Sequence, residues 1–287
     1  MRSKQRSFTA RGLAASVLSA ATILASLTPD SVSAGGYAGS SSITEWNGQC
    51  GGSTRHWWDD MCMAWRKKMG DKGWVQWWRN YNLFQAPRYS DADAVWWGND
   101  DATSGLDWND AGLLCTHGGY DATRWFGVPY DQGPDGACGI SADKMSFGND
   151  SGGWLNFLHL SSCNSVRYSQ RTQWFDAAAG LHLVTGFHGL MYIGSQYVDE
   201  YRDLANHGMS ARGVGKEWLD HMHHVDHWYN SYATVCPMSI GFGATVQEAQ
   251  SRHDETYNAF NSDPVANWMN TRWKSGCDPD DGPKLPN

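Results

Sequence analysis

Leu113-Leu114-Cys115-Thr116-His117-Gly118-Gly119 is an apolar run that closes on a histidine and two glycines. The next such run, residues 155–160, closes on Ser161-Ser162-Cys163-Asn164-Ser165. Short apolar runs suit strands covered on both faces, and open α/β sheets place their chemistry at the carboxyl ends of parallel strands. A histidine and a cysteine at two such ends describe a thiol nucleophile and its base. With a free pKa of about 8.5, a thiol is mostly protonated at neutral pH. The thiolate of Cys163 therefore needs the imidazole of His117, or the N-terminus of a helix beginning at Asn164 or Ser165. A glycine at position 118 lets the backbone approach a substrate carbonyl, and the amides of Gly118 and Cys163 together form the expected oxyanion hole.

Outward from these runs the pattern alternates between strand and helix, which makes the fold class α/β. Strands are expected at 92–98, at 181–187 and late in the chain at 236–242, where Pro237 restricts the strand to an edge or a start. Helices are expected at 57–69, 74–83, 168–179, 191–207 and 214–232. Another, opened by a Thr245/Glu248 capping box, runs toward Phe260, and a short last one follows Asp263-Pro264. Nine of the 17 tryptophans lie between Trp46 and Trp97. Trp58, Met61, Cys62, Trp65 and Met69 recur at helical period, as do Trp74, Trp77, Trp78 and Tyr81, so this segment reads as packed helices in preference to a stacking platform for sugars. Residues 35–45 read as a loose N-terminus and 275–287 as a surface tail. Residues 118–153 are rich in glycine and lack helical period where parallel neighbours need a crossover. Either short helices near 120–126 and 141–145 supply it, or the two strands are not parallel.

Arg2, Lys4, Arg6 and Arg11 precede an apolar stretch from Leu13 to Leu27 and a small-residue site at Val32-Ser33-Ala34. This is the layout of a secretory signal over residues 1–34, leaving 35–287 as a single domain, secreted to the extracellular space or periplasm and without a membrane span. The formal charge of −8, with no basic run, argues against nucleic acid or anionic lipid as partners. Seven cysteines leave at least one unpaired within the chain. One of fifteen connectivities pairs Cys50 with Cys62, Cys115 with Cys138 and Cys236 with Cys277, freeing Cys163; Cys115, close to His117, is the competing free thiol.

A hydrophobic strand ending in His-Gly, followed by one ending in a small residue and cysteine, resembles the caspase-like cysteine peptidases, a group that includes gingipains, separases and bacterial caspase-related proteins. The resemblance covers mainly residues 92–190, and Ser161-Ser162-Cys163-Asn164 is nearer the bacterial members than the Gln-Ala-Cys of caspases. It implies a three-layer α/β/α sandwich with a mostly parallel central sheet, His117 and Cys163 as the dyad, Gly118 and Cys163 as oxyanion donors, and a peptide or protein substrate without a cofactor. It also implies that the loop carrying Asn99, Asp100 and Asp101 adjoins the specificity pocket, where acidic groups favour Arg or Lys; a solvated turn is the simpler reading of those residues.

Three alternatives stay open. His188, before Gly189, is a second candidate base. Asp220, His223, His224 and His227 fall at i, i+3, i+4 and i+7 of an expected helix, a spacing that could hold zinc, and Asp278-Pro279-Asp280-Asp281-Gly282 offers weak calcium chemistry without an EF-hand's remaining ligands. An exported binding or structural protein on the same scaffold, without turnover, is the remaining class.

Overall fold

The computed structural model describes residues 35–287 except 47–49, 82–84, 104, 211 and 229–230. The expected signal at 1–34 lies outside the described residues. The chain runs β1 (Tyr37–Ser42), α1 (Trp57–Asp71), β2 (Val75–Tyr81), β3 (Ala111–Cys115), β4 (Gly118–Tyr120), β5 (Trp125–Gly127), β6 (Ile140–Ser141), β7 (Phe157–Ser161), α2 (Gln173–Asp176), β8 (Leu183–His188), α3 (Val198–His207), α4 (Val214–His221), β9 (His224–Trp228), β10 (Ser231–Gly243), α5 (Val246–Ser251) and β11 (Trp268–Trp273). The main sheet has the order β11-β10-β8-β7-β3-β1-β2, with β9 paired to β10. From β2 to β8 the strands are parallel, and β10 and β11 close the edge antiparallel.

Alternation along the strands splits the core between the two faces of this sheet. Ala111, Leu113 and Cys115 meet Trp58, Met61, Trp65 and Met69 of α1, Leu204 of α3 and Trp218 of α4. Leu114, Leu158 and Leu160 join Trp125, Trp174 and Phe147 on the other side. This is a mixed α/β fold with a mostly parallel central sheet, an arrangement compatible with three layers. The stripe expected on α1 is the face it buries: Trp58, Met61, Cys62, Trp65 and Met69. Full burial of a large apolar side chain is worth about 1.5–3 kcal/mol, which explains why this pattern decides the helix.

The β3-to-β7 crossover needs no helix: the strands are parallel, and the three-stranded antiparallel sheet β4-β5-β6 with short 3-10 turns spans the gap. Several expectations give way. Residues 37–42, read as loose, form the strand β1 between β2 and β3; at Gly39 an added Cβ would lie 2.4 Å from the Asn109 side chain, so packing enforces its small size. The second helix, 74–83, is instead β2, whose aromatic spacing fits helical period by coincidence. Residues 92–98 form turns, 168–179 contain only a 3-10 turn and the short α2, and the residues after Asp263-Pro264 lead into β11.

The capping box holds, with the Glu248 N–H donating to Thr245 Oγ1 at 3.2 Å, although α5 is short. Pro237 lies within β10, one residue beyond the β10–β11 pairing, which begins at Met238. The tail lies on the surface for much of its length but is anchored: Cys277 and Leu285 are buried, and the Cys236–Cys277 disulfide ties it to β10.

Candidate functional site

β3 and β7 are neighbours in register, with Cys115 opposite Ser161. Two residues beyond that pair the chain reaches His117 on one strand and Cys163 on the other, so both leave the same carboxyl edge of the sheet. Their side chains line one cavity of about 860 Å³, together with Arg55, Trp57, Trp58, Met191 and Tyr192.

The His117 ring packs against Trp46, with centroids 4.6 Å apart, and meets the edge of Trp58 at 4.9 Å. Its Nε2 lies 2.9 Å from the Ser53 carbonyl oxygen. A carbonyl only accepts, so Nε2 carries the proton and donates, and in the neutral ring Nδ1 keeps its lone pair. Burial pushes the His117 pKa down, with Arg55 adding to the effect and the Ser53 carbonyl opposing it.

Cys163 is the cysteine left outside the three disulfides, Cys50–Cys138, Cys62–Cys115 and Cys236–Cys277. Only the last matches the expected pairing. Cys62, on the buried face of α1, lies over Cys115 of β3, so helix packing overrides nearness in sequence and removes Cys115 as a competing thiol. Three disulfides fit an oxidising compartment, and no helix among the described residues is long and apolar enough to cross a membrane.

The Met191 N–H points at Cys163 Sγ from 3.5 Å. Burial pushes the thiol pKa up and Asp281 adds to this, while the Met191 amide pulls it back. The helix expected at Asn164 or Ser165 is absent: Asn164 takes a left-handed turn at φ 57°, its N–H donates to the Gly189 carbonyl, and the next helical residues are the 3-10 turn at Tyr168–Gln170. No helix dipole favours a thiolate here. At neutral pH the cavity therefore holds a neutral thiol and a neutral imidazole.

Gly118 is fixed by close approach, since a Cβ there would lie 2.2 Å from Ser162 Oγ and 2.3 Å from the Cys163 carbonyl oxygen. The Val128 N–H donates to the His117 carbonyl at 2.9 Å. Bonded and non-bonded pairs alternate in an antiparallel ladder, so Gly118, opposite Gly127, falls in the non-bonded position and its amide points away from β5. Trp125 Nε1 donates to the Cys163 carbonyl at 3.1 Å and braces the same turn.

The other candidate residues lie elsewhere. Asn99, Asp100 and Asp101 do not line this cavity; Asp100 is wholly buried under its own loop. His188 is buried with both nitrogens engaged: the Tyr168 N–H donates to Nδ1 at 3.1 Å, and Nε2 donates to the Pro283 carbonyl at 2.8 Å. The expected zinc quartet loses its helix, because α4 ends at His221. Asp220 is paired with Arg212 and Lys274, His223 follows in a turn, and His224 and His227 belong to β9. His207, Glu217 and His221 converge instead, with His207 Nδ1 and His221 Nε2 2.8 Å apart.

Of the Asp-rich tail, Asp281 accepts from Asn164 Nδ2 at 3.0 Å and from the Tyr120 hydroxyl at 3.1 Å, bracing the turn that carries Cys163. Neither Ser53 nor Asp281 was legible as part of the site, the first because it contributes only a carbonyl that every residue has. The sequence matches no protein-family model and no curated protein.

Proposed function

We propose that this chain is a secreted cysteine peptidase of the caspase-like type, built on a three-layer α/β/α sandwich, with His117 and Cys163 as its dyad. The observation that carries this is the shared cavity at the ends of two adjacent parallel strands, holding the unpaired thiol and an imidazole whose bare Nδ1 is fixed by the Ser53 carbonyl. An orienting partner on one imidazole nitrogen leaves the other free to serve a nucleophile in the same cavity, as general-base activation requires.

Cys163 Sγ attacks the scissile carbonyl as its proton passes to His117 Nδ1. The S–C bond forms, and the carbonyl pair moves onto oxygen beside the Gly118 and Cys163 N–H groups. Collapse breaks the C–N bond, and the imidazolium gives its proton to the departing amine. Water then attacks the thioester, losing a proton to Nδ1; the carboxylic acid leaves, and the proton returns to the thiolate.

Because the thiol is raised and the imidazole lowered, proton transfer accompanies attack, and no ion pair waits at rest. Among the described residues the cavity wall contains Arg55, Trp57, Trp58, Tyr192 and Ile193 and no carboxylate, which favours apolar or acidic residues at the cleavage site over Lys or Arg. A peptide library read by mass spectrometry tests this: wild-type protein cleaves, and Cys163→Ala does not. Cleavage that survives Cys163→Ala would refute the assignment. The raised thiol also favours a second reading, a binding scaffold without turnover, for which neither protein cleaves.

A further inference from the structure

Asp91, Asp100 and Asp101 bring carboxylate oxygens within 4.8 Å of one another. Asp100 is wholly buried, and among the described residues neither of its oxygens has a hydrogen-bond donor; Asp91 Oδ2 and Asp101 Oδ1 are likewise without one there. Asp107, close by, is accounted for by the protein, accepting from the Gly148 and Leu155 N–H groups at 3.0 Å and the Ser151 hydroxyl at 3.1 Å. Asp100 has no donor from another residue to match these, only a weak influence of its own backbone amide, and the charges acting on it, from Asp107, Asp91 and Asp101, are all negative. Lys144, whose carbonyl accepts from the Asp91 N–H, turns its ammonium to Asp135 at 2.7 Å. Buried carboxylates persist when they are paired or bind metal.

We propose that Asp91, Asp100 and Asp101 form a calcium site that locks the 89–107 loop onto the body of the domain. Two oxygens on one calcium ion, each about 2.3–2.6 Å from it, lie no more than about 5 Å apart, which matches the cluster. The donors are all hard oxygens, which suit calcium and disfavour zinc or copper. Calcium also tolerates irregular and bidentate carboxylates where magnesium demands an octahedron.

The test is calorimetric titration of the chelator-treated full chain with calcium chloride, paired with thermal melting. One calcium ion binds, and saturation raises Tm by roughly 5 °C. Asp100→Asn loses both responses, and without calcium it melts no lower than the wild type, because it removes a buried unpaired acid. Asp101→Asn, a milder change at a half-exposed position, weakens binding at least tenfold. Absence of binding heat and of any melting shift up to about 10 mM calcium, an equal shift with magnesium alone, or undiminished binding by Asp100→Asn would each overturn the assignment.

Discussion

His117 and His188 leave the strands on either side of β7, each is followed by glycine, and burial depresses both, yet of the two only His117 lines the cavity that holds the unpaired thiol. The difference lies in what covers them. His188 sits under the C-terminal tail with a donor on one nitrogen and an acceptor on the other, so its ring is a structural link. Among the described residues His117 has a single hydrogen-bond partner, the Ser53 carbonyl, and it lines the cavity. Position at a strand end nominates both as bases, and the count of committed nitrogens is why the proposed dyad uses His117.

The largest effect expected from this contrast is on turnover. His117→Ala lowers peptide cleavage about 100- to 10,000-fold with little change in melting. His188→Gln leaves turnover within about threefold but costs about 1–3 kcal/mol of stability, the penalty for orphaning a buried partner. Next in size, replacing Cys236 and Cys277 by serine costs about 2–5 kcal/mol and opens the tail, so that His188 becomes reactive to diethyl pyrocarbonate while His117 reactivity is unchanged. Gly118→Ala forces the Cys163 turn aside at a cost of about 1–3 kcal/mol, read by denaturant unfolding, and slows acylation more than it weakens substrate binding.

The smallest effect is in the pH profile. Because the His117 pKa is lowered, the base stays available to acidic pH, and the acid limb of kcat/KM falls only below the ordinary imidazole value of 6.5. Because the Cys163 pKa is raised, its alkylation by iodoacetamide keeps accelerating at alkaline pH where an ordinary thiol has levelled off.

The residues around this contrast differed in how much they revealed. β3, β7, β8 and β10 were legible because buried strands read as continuous apolar runs, and α1 because five large side chains keep one helical face. β1 was not, because Gly39, Ser40, Ser41 and Ser42 are small and polar yet buried, a choice set by Asn109 and by neighbouring strands that lie far off in sequence. β9 was not, because polar His-rich sequence after α4 carries no signal for where the helix stops. At the site, His117 and Cys163 stood out by residue type. The Ser53 carbonyl, the Met191 amide and the tail carboxylate of Asp281 act through backbone placement and long-range closure, which no local pattern encodes.

The most direct test of the dyad is acylation of the intact protein by a peptidyl p-nitrophenyl ester at neutral pH, followed by intact mass and peptide mapping. We expect a single acyl adduct on Cys163, formed about 100-fold more slowly in His117→Ala. Acylation at another residue, or equal rates with and without the imidazole, would contradict the assignment.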